Sequence, residues 1–137
     1  IPLGSFTFTR TDLPLSWYDL GNGLAGSLPA PSLAGSGALV ADGAIELTLS
    51  GALPSAPMGL VLGLSELNAP FKGGVLVPAA DIVLLGLSTD ATGGFFLPAT
   101  WPADVGAGGL LAAQIWVQDA GGPAGWSASN GICAATF

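Results

Sequence analysis

Hydrophobic and polar residues alternate most regularly in AIELTLS (44–50), where Ile45, Leu47 and Leu49 fall on one side and Glu46, Thr48 and Ser50 on the other. A period of two is the mark of a half-buried strand. The same alternation appears early, in SFTFTR (5–10), which interleaves Phe6 and Phe8 with Thr7 and Thr9. Three further runs, MGLVLGLS (58–65), GGVLVP (73–78) and DIVLLGLSTD (81–90), carry Val and Leu at both alternating positions. Apolar residues on both faces predict strands covered on both sides, so a second layer is expected over them. Gly63 and Gly86 interrupt two of these runs and predict bulges or close backbone approach.

GFFLPATW (94–101), LLAAQIWVQDA (110–120), GWSAS (125–129) and ICAATF (132–137) complete a set of about eight or nine short strands. DATG (90–93) has the chemistry of a hairpin loop between two of them. No segment carries a helical stripe with caps, and Pro and Gly recur too often for long helices. The pattern predicts an all-β protein built as an antiparallel β-sandwich, immunoglobulin-like or jelly-roll-like, with an open barrel as the second choice. Residues 21–38, GNGLAGSLPAPSLAGSGA, are dense in turn formers and read as a connection. The organisation expected is an N-terminal extension over 1–16, carrying its own strand, and one sandwich domain over 17–137.

At 137 residues the chain suffices for one domain with a real core. Composition sharpens this picture. Only 8% of residues are charged while 50% are hydrophobic, so the surface cannot be covered with charge in the usual way. Nine carboxylates face only Arg10 and Lys72, a net charge of −7, and such a balance lacks the basic clusters that nucleic acid or anionic lipid demands. No apolar run reaches the roughly 18 to 20 residues of a membrane span, so the chain is not expected to be membrane-inserted. Ile1 in place of an initiator Met suggests a processed terminus and an extracellular or cell-surface location after loss of an export peptide.

Candidate chemistry is sparse. The absence of His removes the commonest general base and transition-metal ligand. Asp81 and Asp90 flank one strand and could join an acid pair, but both sit beside turns, where Asp bonds its own backbone. Asp42 in ADG and Asp90 in DATGG place carboxylates in loops that a calcium ion could use, yet neither has closely spaced acids. No catalytic residue, metal ligand or cofactor is therefore assigned, and an enzyme is not expected. Cys133, the single cysteine, reads as a small residue of the last strand, with no basic neighbour in sequence to activate it. In QIWVQ, Gln114, Trp116 and Gln118 share one side of a strand, opposite Ile115 and Val117. An aromatic ring flanked by amides is the chemistry of a sugar-stacking face, and equally that of a face packed against another strand; the packed reading is the favoured one.

From Trp17 onward the chain resembles a recurring secreted module found at the C-terminal end of large exported proteins of planctomycete-type bacteria. The resemblance rests on WYDLGNGLAG (17–26), LTLSGALPSAP (47–57), LGLSELNAPFKGGVLVP (62–78), STDATGGFFLPATWP (88–102) and DAGGPAGWSASNG (119–131). It implies a compact extracellular β-sandwich with no assigned reaction and supplies no catalytic residues. The alternating strand in front of the module is a departure from that pattern.

That strand bears on function. An extended segment can complete the sheet of a neighbouring copy, backbone bonds giving affinity and alternate side chains filling pockets. Phe6 and Phe8 would be the buried knobs, Thr7 and Thr9 the outward residues, and Pro14 with the Gly-rich stretch would let the segment leave its own domain. A head-to-tail contact of this kind yields a homopolymer unless geometry closes it into a ring. The expected function is thus a structural, non-enzymatic exported subunit of a fimbria-like filament or surface layer. The alternative is a secreted carbohydrate-binding or adhesion module contacting surface glycans through Gln114, Trp116 and Gln118. The simplest alternative for residues 5–10 is an edge strand of their own sandwich.

Overall fold

In the computed structural model, which describes residues 17–105 and 108–136, eleven strands follow one another without a helix among the described residues. They are β1 (Tyr18–Gly21), β2 (Ser32–Ser36), β3 (Ala44–Ser50), β4 (Pro57–Gly63), β5 (Glu66–Phe71), β6 (Gly74–Pro78), β7 (Ile82–Ser88), β8 (Phe95–Thr100), β9 (Leu110–Gln118), β10 (Trp126–Ala128) and β11 (Gly131–Ala135). The larger sheet runs β1-β11-β9-β4-β7, with β10 also paired to β9; a three-stranded sheet runs β2-β3-β8; and β5 and β6 form a separate hairpin. All strand pairs are antiparallel. The all-β antiparallel sandwich expected from the alternation is the fold observed. No helix long and apolar enough to cross a membrane occurs among the described residues.

The core follows from the period of two. Leu47 and Leu49 of β3, with Leu33 of β2, meet Met58 and Leu60 of β4, Ala113, Ile115 and Val117 of β9, and Ile132 of β11. A second cluster of Leu39, Ile45, Trp101, Leu111 and Ala134 closes one end, and Trp17 packs against both. Each buried aliphatic side chain contributes roughly 1.5–3 kcal/mol relative to exposure. Strand β3 is buried at alternate residues only, as a strand with one face in water must be.

Strand β9 is buried on both faces, because the β5–β6 hairpin lies over the outer side of the larger sheet. Val61, Trp116 and Ala128 are enclosed there with Leu24, Leu76 and Trp126 packed against them. Lys72 and Gly73 form the hairpin's two-residue turn with φ of 47° and 84°, the double left-handed geometry of a type I′ turn. The Lys72 ammonium lies 5.2 Å from the Phe71 ring centroid and 5.5 Å from that of Trp126. The expected second layer therefore exists over β4; it extends over β9 as well, and 73–78, expected beneath it, forms β6 of that layer itself and is only partly buried.

Several expectations need correction. There are eleven strands among the described residues instead of eight or nine: β1, β2 and β5 form in stretches whose Gly, Pro and polar residues hid any alternation. The supposed connection 21–38 contains β2, held by its register on β3 from Ser32↔Ser50 to Ser36↔Glu46. DATG does not close a hairpin, since β7 pairs with β4 and β8 pairs with β3; it carries the chain between sheets. Among the described residues, strand β7 is not covered on both sides: it ends the larger sheet, and Ile82, Val83, Leu84 and Leu85 are all exposed. The two glycines behave as expected. Gly86, at φ 80°, lies with Leu85 opposite Gly59 alone, making a bulge, and a Cβ on Gly63 would collide with the Ala79 backbone. The extension strand at 5–10 lies outside the described residues.

Candidate functional site

The face carrying Gln114 and Trp116 is closed. Gln114 is 0% exposed and Trp116 3%, because β6 crosses above them. The Gln114 amide uses its full capacity: Oε1 accepts from the Val77 N–H at 3.0 Å and the Trp116 indole N–H at 3.0 Å, and Nε2 donates to Val75 O and Ser129 O, both at 3.1 Å. Trp116 meets the Phe71 ring edge to face, 5.1 Å between centroids. Gln118 alone of the three is exposed. The glycan-contact expectation is therefore corrected for Gln114 and Trp116: they fasten the hairpin to the sheet and offer no stacking surface to a sugar.

Of the acidic candidates, Asp90 bonds locally and Asp81 across the sheet end. Asp90 Oδ1 accepts from the Thr92 N–H, the Thr92 hydroxyl and the Gly94 N–H at 2.8–2.9 Å. Those bonds, that of Gly94 first, hold its carboxyl below the usual range, as bonding to the charged form requires. Asp81 Oδ2 accepts from the Leu64 N–H at 2.8 Å, and Asp42 occupies a turn at φ 60°. Asp90 thus serves its own turn, as the sequence suggested, whereas Asp81 ties its turn to Leu64 in the β4–β5 connection, seventeen residues away. No group of three or more Cys, Asp or Glu side chains that could hold a metal converges among the described residues.

Sequence reasoning passed over Asp119. It is almost wholly buried and ties the first connection to the β9–β10 turn, accepting from the Ser27 hydroxyl at 2.6 Å, the Ser27 N–H at 3.0 Å and the Gly121 N–H at 2.9 Å. Its carboxyl is held low, chiefly by the Ser27 hydroxyl, against the opposing effect of burial. Cys133 is half-buried on β11, its thiol pushed up by desolvation and then by the charge of Glu66.

The feature with the shape of a binding site lies elsewhere, where β7 and β8 form the open side of the sandwich. A cavity of about 360 Å³ opens there, walled by Ile45, Leu47, Leu62, Leu97, Trp101 and Leu111, with Ile82 and Ala99 among the lining residues toward the two edge strands. Asp81 is its only carboxylate among the described residues. Trp101 is 7% exposed, and its buried indole N–H has no hydrogen-bond partner among the described residues. A buried donor left unmade costs about 1–3 kcal/mol, which makes this wall receptive to an acceptor.

Strand register explains the opening. Ile82 and Leu84 pair with Leu62 and Leu60, and directly paired residues share a face, so both point toward the opposite sheet. They remain 53% and 41% exposed because no strand lies beyond them among the described residues. Val83 and Leu85 point outward, past the reach of the hairpin, and Leu85 is 75% exposed. The sequence marked DIVLLG as apolar throughout, which is the pattern of a doubly buried strand and equally that of an edge awaiting a partner.

Compared with known proteins, the chain matches no family model, no curated protein and no solved structure at a significant level.

Proposed function

We propose that this chain is an exported, non-enzymatic structural protein whose copies assemble into an extracellular filament or surface layer by exchange of the N-terminal strand. The observation that carries the reading is the edge of β7, which no other strand pairs among the described residues. Exposed apolar edges are templates for pairing, and proteins ordinarily blunt them with charge, proline, bulges or a covering loop. Residues 82–85 carry no charge or proline, and no loop covers them among the described residues: the run is Ile-Val-Leu-Leu, and the bulge at Gly86 comes only after it.

The wider surface agrees with this reading. Leu64, Leu67 and Phe96 are also exposed, and few charges are available to keep such a surface apart from its like. The alternation of Phe6 and Phe8 with Thr7 and Thr9, although outside the described residues, supplies a segment of the right character within the same chain.

Negative-stain electron microscopy of the full chain tests the assembly. Regular fibres or sheets are expected, and dispersed small particles would overturn it. Deleting residues 1–12 should leave folded monomers; a deleted chain that still polymerises would refute strand exchange as the joint.

A further inference from the structure

Resting on the strand-exchange reading, we infer that the cleft between β7 and β8 is the acceptor for residues 5–10 of a second copy of this chain. The incoming segment pairs antiparallel with β7 and seats Phe6 and Phe8 in the cavity.

Volume agrees with two rings. A cavity of roughly 150 Å³ accepts one benzene, and the cleft holds about 360 Å³. Successive inward residues of a strand stand about 6.6–6.8 Å apart, so two phenylalanines at alternate positions enter side by side.

Register follows from the faces. The inward residues of β7 ahead of its bulge are Ile82 and Leu84. Antiparallel pairing that puts Phe8 opposite Ile82 puts Phe6 opposite Leu84 and Thr7 opposite Val83. Both aromatic rings then turn inward, Phe8 beside Ile82 of the cavity wall and Phe6 beside Leu84, the next inward residue along β7, and the threonines face outward beside the exposed Val83. In this register Arg10 falls opposite Ala80, next to Asp81, the cleft's carboxylate. One of the chain's two cations meets the one anion of the site. The segment also brings backbone carbonyls, the kind of acceptor that the Trp101 indole N–H lacks among the described residues.

The tether decides which copy supplies the strand. Trp17 precedes β1, at the opposite end of the sheet order from β7. Four successive antiparallel pairings make β1 and β7 run the same way, so Trp17 and Ile82 stand at the same end. A strand added beyond β7 lies five spacings from β1, about 24 Å at ~4.8 Å each. From Arg10 to Trp17 the chain makes seven residue steps, about 23–25 Å when drawn taut at ~3.3–3.6 Å each. That length suffices only for a straight line through β11, β9 and β4, and leaves nothing for the path around them. A second copy's segment has no such restraint.

Disulfide trapping in the full-length chain tests this. With Cys133→Ser removing the native thiol, Thr7→Cys and Val83→Cys place two thiols on directly opposed residues, about 4.5–5.5 Å between Cα atoms and within disulfide range. Mild oxidation should give a ladder of covalent multimers that collapses on reduction. Adding Phe6→Ala and Phe8→Ala should lower ladder formation about tenfold or more, since two buried rings are lost. A Thr7–Val83 disulfide confined to monomers would place the segment in its own sheet and overturn the inference. Fibres from the wild-type chain with no such disulfide in the variant would refute this seat while leaving assembly standing; dispersed particles and no disulfide would refute both.

Discussion

Replacing Gln114 with Leu removes four hydrogen bonds while keeping nearly the same volume, so it isolates the polar fastening of the hairpin from its packing. Val77 N–H and the Trp116 indole N–H lose their acceptor, and Val75 O and Ser129 O lose a donor. Each buried group left unpaired costs about 1–3 kcal/mol, with donors the more expensive because a carbonyl has a second lone pair. Counting the two donors in full and the carbonyls lightly gives roughly 3–5 kcal/mol, a large share of the 5–15 kcal/mol of a typical domain. With a urea m-value of about 1–3 kcal/mol/M, the midpoint should fall by roughly 1–5 M in equilibrium unfolding followed by tryptophan fluorescence. Gln118→Leu, on the exposed end of the same strand, should stay within about 0.5 kcal/mol of wild type. A loss below about 1 kcal/mol for Gln114→Leu would refute the reasoning, and would mean that the face opens to water more readily than its burial implies.

Three further outcomes are expected. Asp119, whose folded pKa lies below its ordinary 3.8, stabilises the fold above that value and loses its contribution as pH falls through it toward the lower folded pKa; Asp119→Ala should cost about 2 kcal/mol at pH 7, and urea titrations at descending pH should show the gap from wild type closing below pH 4. Gly63→Ala drives a methyl group into the Ala79 backbone and should destabilise by about 1–3 kcal/mol, read as a lower melting temperature. Cys133, held protonated by desolvation and by Glu66, should react with a thiol reagent at pH 8 about tenfold or more slowly than a free cysteine, and a rate equal to the free thiol would contradict its half-buried position on β11.

Alternation was decisive where one face meets water and the other meets the core. AIELTLS became β3 with Ile45, Leu47 and Leu49 buried as its period required. Strands lacking that contrast were invisible. Ser32–Ser36 is a strand because β3 supplies the partner and Asn130 reaches across to bond both Leu33 N–H and Leu33 O at 2.8 and 3.1 Å. Nothing within SLAGS announces either fact. Glu66–Phe71 is paired only to β6, and its strand character depends on a type I′ turn at Lys72, a residue with little intrinsic preference for positive φ.

The site shows a different limit. A run such as DIVLLGLS states that its residues avoid water without stating what excludes it, and the two faces of β4 and β7 were read alike for that reason. The structure separates them by position: β4 lies between β9 and β7, beneath the hairpin, whereas β7 is last in the sheet order and extends past both covering layers. Gln114 and Trp116 illustrate the converse, an amide and an indole whose chemistry suits a sugar face and a packed face alike, and which satisfy each other in the interior. Periodicity reports which residues share a face, and only long-range pairing reports whether that face is closed by the same chain. In this chain β9 is closed by its own hairpin, while Ile82 and Leu84 share an inward face that no described residue completes. An apolar edge of this kind persists in water only at the risk of indiscriminate pairing; the proposed partner strand would remove that risk, and the alternating Phe6 and Phe8 have the period that the edge of β7 presents.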